Sequence, residues 1–424
     1  MIQFRPFLAA AAALLLAACA SSPSSPSPVA AASTPAAPTV LLVSIDGLRA
    51  DVLDRGMAPN LSRIAAQGVR ARWMNPSYPS LTFPNHYTIV TGLRPDHHGI
   101  VNNTMHDAAL GGFSLSDRDA VGDARWWGGE PLWAGVQKAG MRAYTWSWPG
   151  SEAAVGGIRP TRWHNFDASV PQQARVDEVL GWLSEPVSTR PRLATLYFEH
   201  VDHAGHDYGP DSPEYAQAVR EVDAAVGRLQ AGLVRRGLTS TVDLVIVSDH
   251  GMATVAPGHF VVAEDMLPAQ LATIVSVGQS VGFEPLPGQQ AAAEAHLLGA
   301  HPQHDCWRKQ DLPARWHYGT HPRIPAIVCQ MHEGWDAVRA EWAKRRRADG
   351  GTRGSHGFDP ALPSMRAVFM ASGPSFRQGQ TLPPFDNVDV YPLLARLLGI
   401  EAAPNDGDPA TLLPALRDGV GSPR

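Results

Sequence analysis

Short runs of apolar, largely β-branched residues recur along the chain, and each stops abruptly at polar residues or glycine: TVLLVSIDG (39–47), RLATLYFEHVD (192–202), TVDLVIVSDHG (241–251) and MRAVFMASG (365–373). Apolar runs of this length predict strands buried on both faces. The stretches between them carry helical spacing: MAPNLSRIAAQG with Asn60 as its cap, QQARVDEVLGWLSEP, SPEYAQAVREVDAAVGRLQAGLVRRG with Ser212 ahead of Pro213, and NVDVYPLLARLLGI. Such alternation predicts an α/β sandwich, a mostly parallel sheet covered by helices on both faces. In sheets of this kind ligands gather beyond the carboxyl ends of the strands. From about 252 to 350 the strand signals weaken and Gly, Pro, Trp and His become frequent, which reads as an inserted cap beside the sheet.

The first residues follow a different pattern. MIQFRPFLAAAAALLLAACA has an early Arg5, an apolar run from Phe7 to Leu16 and small residues up to Cys19. It predicts a bacterial export signal over residues 1–18, too short to span a bilayer. LAAC resembles a lipobox, which implies lipidation of Cys19, a Ser/Pro/Ala-rich tether over 19–38, and a periplasmic lipoprotein anchored in the outer membrane; an ordinary cleaved secretory signal is the alternative. Residues 39–424 then form the catalytic domain. With 44% hydrophobic and 18% charged residues the full sequence has the composition of a folded protein, and its net charge of −5 gives no basic surplus for a nucleic-acid polymer. Cys306 and Cys329 remain as a pair that an oxidising compartment would join, or as two buried thiols.

The strand ends hold the candidate chemistry. Asp46 closes the first run, Asp202 the second with His206 four residues on, and Asp249 and His250 the third, while GSHGF adds His356. Any one of these is ordinary turn or cap chemistry. Three carboxylates and three imidazoles that one crevice would gather form a donor set for a divalent metal, with no thiolate in it. Adjacent residues on a strand face opposite ways, so Asp249 and His250 share a site only if the chain has left the strand, with Gly251 allowing the turn. Gly205 similarly predicts a loop that lets Asp202 and His206 converge.

SIDGLRAD, SLTFPNHYTIVTGLRPDHHGIVNN, GEPLW, WPGSE, YFEHVDHAGHDYGP, VSDHGM, HYGTHPRIP and GSHGFDPALPSMRAVFMASGP, read in order, resemble the nucleotide pyrophosphatase/phosphodiesterase family of the alkaline phosphatase superfamily, in its bacterial form. The resemblance implies an alkaline-phosphatase-like sandwich with two zinc ions, one held by Asp202, His206 and His356 and the other by Asp46, Asp249, His250 and Thr82. It makes Thr82 a nucleophile that forms a phosphothreonine intermediate. Asn103, with the backbone N–H beside the nucleophile, would donate to a phosphoryl oxygen, and Phe83 and Phe166 would sandwich a base. His86, His200 and His203 are expected outside the ligand set. A centre in which two dications face three carboxylates and an alkoxide is close to neutral, which suits the single charge of a diester better than a monoester. The expected activity is hydrolysis of small phosphodiesters and nucleotide phosphoanhydrides. The alternatives are a phospholipid or glycerophosphodiester substrate, a phosphomonoesterase, or a non-catalytic zinc-binding lipoprotein.

Overall fold

The computed structural model describes residues 38–420. The expected signal, the lipidation site Cys19 and nearly all of the tether therefore lie outside the described residues. Among the described residues, no helix is long and apolar enough to cross a membrane.

Strands β1 (Thr39–Ile45), β2 (Val69–Ala71), β3 (Ala143–Trp146), β4 (Arg162–His164), β5 (Leu193–Phe198) and β6 (Val242–Val247) belong to the main sheet. Strands β7 (Ala272–Ser276), β8 (Ser280–Pro285), β9 (Gly299–Ala300), β10 (His304–Arg308) and β11 (Ile327–Met331) form a second sheet, and β12 (Phe369–Ser372) and β13 (Gln380–Leu382) return to the first. The main sheet runs β13-β2-β12-β6-β1-β5-β3-β4. At its centre β1 pairs in parallel with β5 and β6, while β12 lies antiparallel to β6. The 365–373 run is thus a strand of opposite direction, which an apolar run alone does not specify.

Every residue of β1 is buried, and its alternating side chains go to opposite faces. Val40 and Leu42 enter an apolar cluster with Ile89 of α2 (Thr82–Thr91) and Leu394 of the 390–398 helix. Leu41, Val43 and Ile45 meet Leu61 of α1 (Pro59–Gln67), Val179 of α3 (Gln172–Leu183) and Val222 of α5 (Pro213–Arg235) on the other face. Ser212 caps α5 as expected, accepting from the Tyr215 amide at 3.0 Å. Asn60 does not cap α1. Pro59 starts that helix, and its first free amides, those of Asn60 and Leu61, are satisfied by the buried carboxylate of Asp223 at 3.1 and 2.8 Å.

The 252–350 region builds the antiparallel sheet β7-β8-β11-β10-β9 around an apolar cluster of its own. Cys306 and Cys329 face each other across β10 and β11 and are joined by a disulfide.

Candidate active site

The candidate ligands meet at the carboxyl end of the main sheet. Asp46 is the first residue past β1. Asp249 and His250 follow β6 by two and three residues, beyond the ladder, so both side chains turn to the same side. Gly251 serves this bend through close packing: a β-carbon there would lie 2.1 Å from the Ser364 carbonyl. Asp202 and His206 are placed differently from the expected loop. The second strand ends at Phe198, and both residues sit on helix α4 (His200–Tyr208), one turn apart on one face. Gly205 stays helical; its missing side chain admits Met252, whose Cε would stand 2.8 Å from a β-carbon. His356 arrives from the end of the cap region.

These side chains form interlocking groups: Asp202, His206 and His356 in one, and Asp46, Asp202 and His250 in another, with ligand atoms within 4.8 Å of one another in each group. Asp249 Oδ2 lies 2.9 Å from His250 Nε2. The histidines are oriented from behind. His206 Nδ1 meets the Gly354 carbonyl at 3.1 Å, His250 Nδ1 that of Gly251 at 2.9 Å and His356 Nδ1 that of Ser80 at 2.9 Å. A ring nitrogen facing a carbonyl carries the proton, so Nε2 of His206 and of His356 presents a lone pair to the centre; on His250 burial opposes a charge but Asp249 outweighs it and raises the pKa, so its Nε2 becomes a donor atom as a metal displaces the proton.

That arrangement fits a cation and little else. His206 Nε2 and His356 Nε2 face each other at 3.0 Å, two lone pairs in apposition. Asp46 Oδ1 and Asp202 Oδ1 are buried with no hydrogen-bond donor among the described residues, a costly state for an anion. Burial, then the charges of Asp249 and Asp202, push the Asp46 carboxyl well above its ordinary range. Burial also acts against charged Asp249, but His250 and His86 outweigh it and hold that carboxyl well below the ordinary range. Burial, then His250 and His206, keep His356 neutral, the form that ligates. A divalent metal relieves every one of these strains, and the donor set of imidazoles and carboxylates suits it.

Thr82 is the first residue of α2. Its Oγ1 stands 3.3 Å from His250 Nε2. The loop before it is pinned by Asn85, buried, whose amide donates to the Pro79 and Leu81 carbonyls at 2.9 Å and accepts from the Ser77 amide at 2.7 Å. Asn103 Oδ1 accepts from the Phe83 N–H at 3.0 Å. The backbone donor expected to serve the phosphoryl group is therefore engaged, because Asn103 uses its one acceptor on it. This contact turns the Asn103 NH₂ group away from Phe83 and leaves it as the donor. Phe83 is half-buried against Phe113 and Trp127, with centroids 6.1 and 6.0 Å away. Phe166 is exposed, its ring edge-on to Tyr197 at 6.1 Å.

Asn85 and Tyr197 escaped the sequence reading, and His86, expected outside the ligand set, joins a donor group with Asp46 and Asp249 whose ligand atoms lie within 4.8 Å of one another. Tyr197, buried in β5, donates its hydroxyl to Asp46 Oδ2; a tyrosine inside an otherwise apolar strand was its one signal. His86, also buried, lies between Ser44 Oγ at 2.8 Å, the Thr82 carbonyl at 2.9 Å and Asp249 Oδ2 at 3.2 Å. His200 rests 3.7 Å from Glu199, itself forked onto buried Arg175; among the described residues neither His200 nor His203 joins a donor group.

The family model for type I phosphodiesterase / nucleotide pyrophosphatase matches residues 40–359. An uncharacterized pyrophosphatase/phosphodiesterase of Schizosaccharomyces pombe is 36% identical over 90% of this chain and 81% of its own length. A venom phosphodiesterase of Crotalus durissus collilineatus is 36% identical over 88% of this chain and 46% of its own length, and ectonucleotide pyrophosphatase/phosphodiesterase family member 3 of Rattus norvegicus is 35% identical over 88% and 43%. The chain thus spans about half the length of the venom and mammalian relatives. Murine ectonucleotide pyrophosphatase/phosphodiesterase 5, solved in an inactive form with AMP, superposes with a TM-score of 0.84 at 32% identity, covering 90% of this chain and 100% of that one.

These relatives are fungal, snake-venom and mammalian, which overturns the bacterial assignment and with it the periplasmic, outer-membrane lipoprotein placement. The physical reason is that an early arginine, an apolar run and small residues are features of export that do not specify the kind of cell. With its sandwich fold, its paired donor groups and these relatives, the chain belongs to the type I phosphodiesterase / nucleotide pyrophosphatase family of metal-dependent hydrolases.

Proposed function

We propose that the protein hydrolyses nucleotide phosphoanhydrides and small phosphodiesters with Thr82 as nucleophile, and that Asp202, His206 and His356 hold one zinc ion while Asp46, Asp249 and His250 hold a second. The observation that carries this reading is the Thr82 hydroxyl, 3.3 Å from His250 Nε2 at the edge of the donor set. Zinc is favoured over other divalent ions by the equal share of imidazole and carboxylate donors. Bound there, the two ions would supply Lewis-acid stabilisation for the attacking and departing oxygens of an in-line displacement.

The chain's own residues do the rest. Thr82 Oγ1 loses its proton to solvent and bonds to phosphorus as the bond to the leaving alcohol or phosphate breaks, the departing alkoxide being protonated by solvent and a phosphothreonine ester remaining. Water then attacks from the side the leaving group vacated, and the threonine oxygen departs. Thr82 stands at the N-terminus of α2, where the helix dipole favours negative charge. The Asn103 NH₂ group donates to a phosphoryl oxygen as charge builds on it. His86, which touches both the Thr82 carbonyl and Asp249, positions the nucleophile against the donor set.

A near-neutral centre favours a diester over a dianionic monoester. On bis-p-nitrophenyl phosphate, kcat/KM is expected to exceed that on p-nitrophenyl phosphate by about tenfold or more; equal or reversed preference would overturn the charge argument. Nucleotides are favoured by Phe83, next to the nucleophile in the chain, and by Phe166, exposed beside Tyr197, the two rings that the family resemblance pairs around a base and whose stacking is tolerant of its identity. Replacing both by alanine should lower kcat/KM on a dinucleotide by roughly 10- to 100-fold, the equivalent of about 1–3 kcal/mol of stacking. Hydrolysis of the small aryl diester should change little; a parallel loss on both substrates would assign the rings to packing. The phospholipid alternative rested on a membrane tether that lies outside the described residues, and the AMP complex of the murine relative supports the nucleotide.

A further inference from the structure

The cap carries a second cluster of histidines that shares no residue with the catalytic set. His301 and His304 flank the turn of the β9–β10 hairpin, closed by the bond from the His301 amide to the His304 carbonyl at 2.8 Å. Residues flanking a two-residue turn direct their side chains to one face. Their rings stack with centroids 4.5 Å apart and planes 13° from parallel.

The available lone pairs can be assigned. His301 Nε2 meets the Leu297 carbonyl at 2.7 Å and so bears the proton, leaving Nδ1 as a donor atom for a metal. His304 is only 7% exposed, and its Nδ1 is buried without a hydrogen-bond partner. An unpaired buried imidazole nitrogen is costly unless something occupies it. Burial, then His301 and His332, depress the His304 pKa to about 4, so the ring stays neutral at ordinary pH. Both rings line a cavity of about 480 Å³, with Asp265, Met266 and His296 on its walls. The Cys306 sulfur comes within 4.8 Å of the two ring nitrogens. Its bond to Cys329 removes it as a thiolate ligand.

We propose that His301 and His304 form a binding site for a borderline divalent transition-metal ion, with two imidazole nitrogens from the hairpin and solvent in the adjoining cavity completing its shell. Imidazole pairs favour Cu²⁺, Ni²⁺ and Zn²⁺ over Mg²⁺ and Ca²⁺, with Cu²⁺ the tightest.

The test is titration of the zinc-loaded protein with Cu²⁺, followed by calorimetry and electron paramagnetic resonance. The expected result is one Cu²⁺ equivalent with nitrogen hyperfine structure, lost or weakened at least tenfold in His301→Ala and His304→Gln. Diester hydrolysis should be unchanged in both variants. His301 is half-buried at the turn, so its variant remains informative if the buried His304 position disturbs the cap. Uptake of Cu²⁺ with the same affinity and spectrum in the wild type and the His301 variant would overturn the proposal, as would the absence of any equivalent beyond the zinc.

Discussion

Replacing Thr82 with alanine is expected to lower diester turnover by roughly 10⁴-fold or more, the scale seen when a covalent nucleophile is removed. The change deletes one hydroxyl at the start of α2, half-buried, and leaves His250 and the carboxylates where they are. The metal content should therefore stay at the wild-type value, and stability should change by no more than about 1 kcal/mol, the ordinary range for a substitution that opens no core cavity. A further consequence separates the nucleophile from a mere ligand. Rapid acid quench of the wild type with a ³²P-labelled substrate should trap phosphate on the Thr82 peptide, and the alanine variant should trap none. Should the variant keep a substantial part of the wild-type rate, water would be attacking the substrate directly and the threonine would be a positioning group. Serine at position 82 distinguishes these cases again, since it restores the hydroxyl and should recover much of the rate.

The sandwich and most of the donor set were legible because they rest on patterns that burial enforces. A strand such as TVLLVSI has no choice but to be covered on both faces, and the polar residues that follow it must emerge at the sheet's end, which is where Asp46, Asp249 and His250 lie. What could not be read is what tertiary contact decides. Asp202 and His206 were expected on a loop because Gly205 lies between them, yet the glycine is there so that Met252 can pack against a helix. Local propensity gives no hint of a partner that lies about fifty residues away. The direction of β12 escaped for the same reason, since antiparallel pairing with β6 depends on the path of the cap. Asn85 and Tyr197 act on the site through residues they touch across the fold, and in the sequence they are an asparagine and a tyrosine among many. The Phe83 amide was expected to face the phosphate, and only the coordinates reveal that Asn103 holds it.

Stripping the metals with a chelator is expected to lower activity by roughly 10³-fold or more, the equivalent of several kcal/mol of lost charge stabilisation, and to destabilise the fold as well. The second effect follows from the donor set itself. Asp46 and Asp202 each bury an oxygen that no donor among the described residues satisfies, and Asp249 lies beside them with His250 and His86 against it, so the metal-free chain keeps three carboxylates together with only the histidines to offset them. At free metal a thousandfold above Kd, each ion that binds only the folded chain adds about 4 kcal/mol. The thermal midpoint of the chelated protein should therefore fall by several degrees at neutral pH, and adding Zn²⁺ back should restore both midpoint and activity. The pH dependence has a definite sign. Asp46 is raised well above the ordinary carboxylate range when no ion is present, by burial first and then by Asp249 and Asp202, so a proton and a metal compete for the same oxygen. The stability supplied by the ions is thus fully present above that raised pKa and fades as pH falls through it, which narrows the gap between loaded and stripped protein in acid. Differential scanning fluorimetry of both forms across pH reads this directly. Equal midpoints at neutral pH, or a gap that widens in acid, would mean that these carboxylates are satisfied in some other way and that the cage does not hold metal.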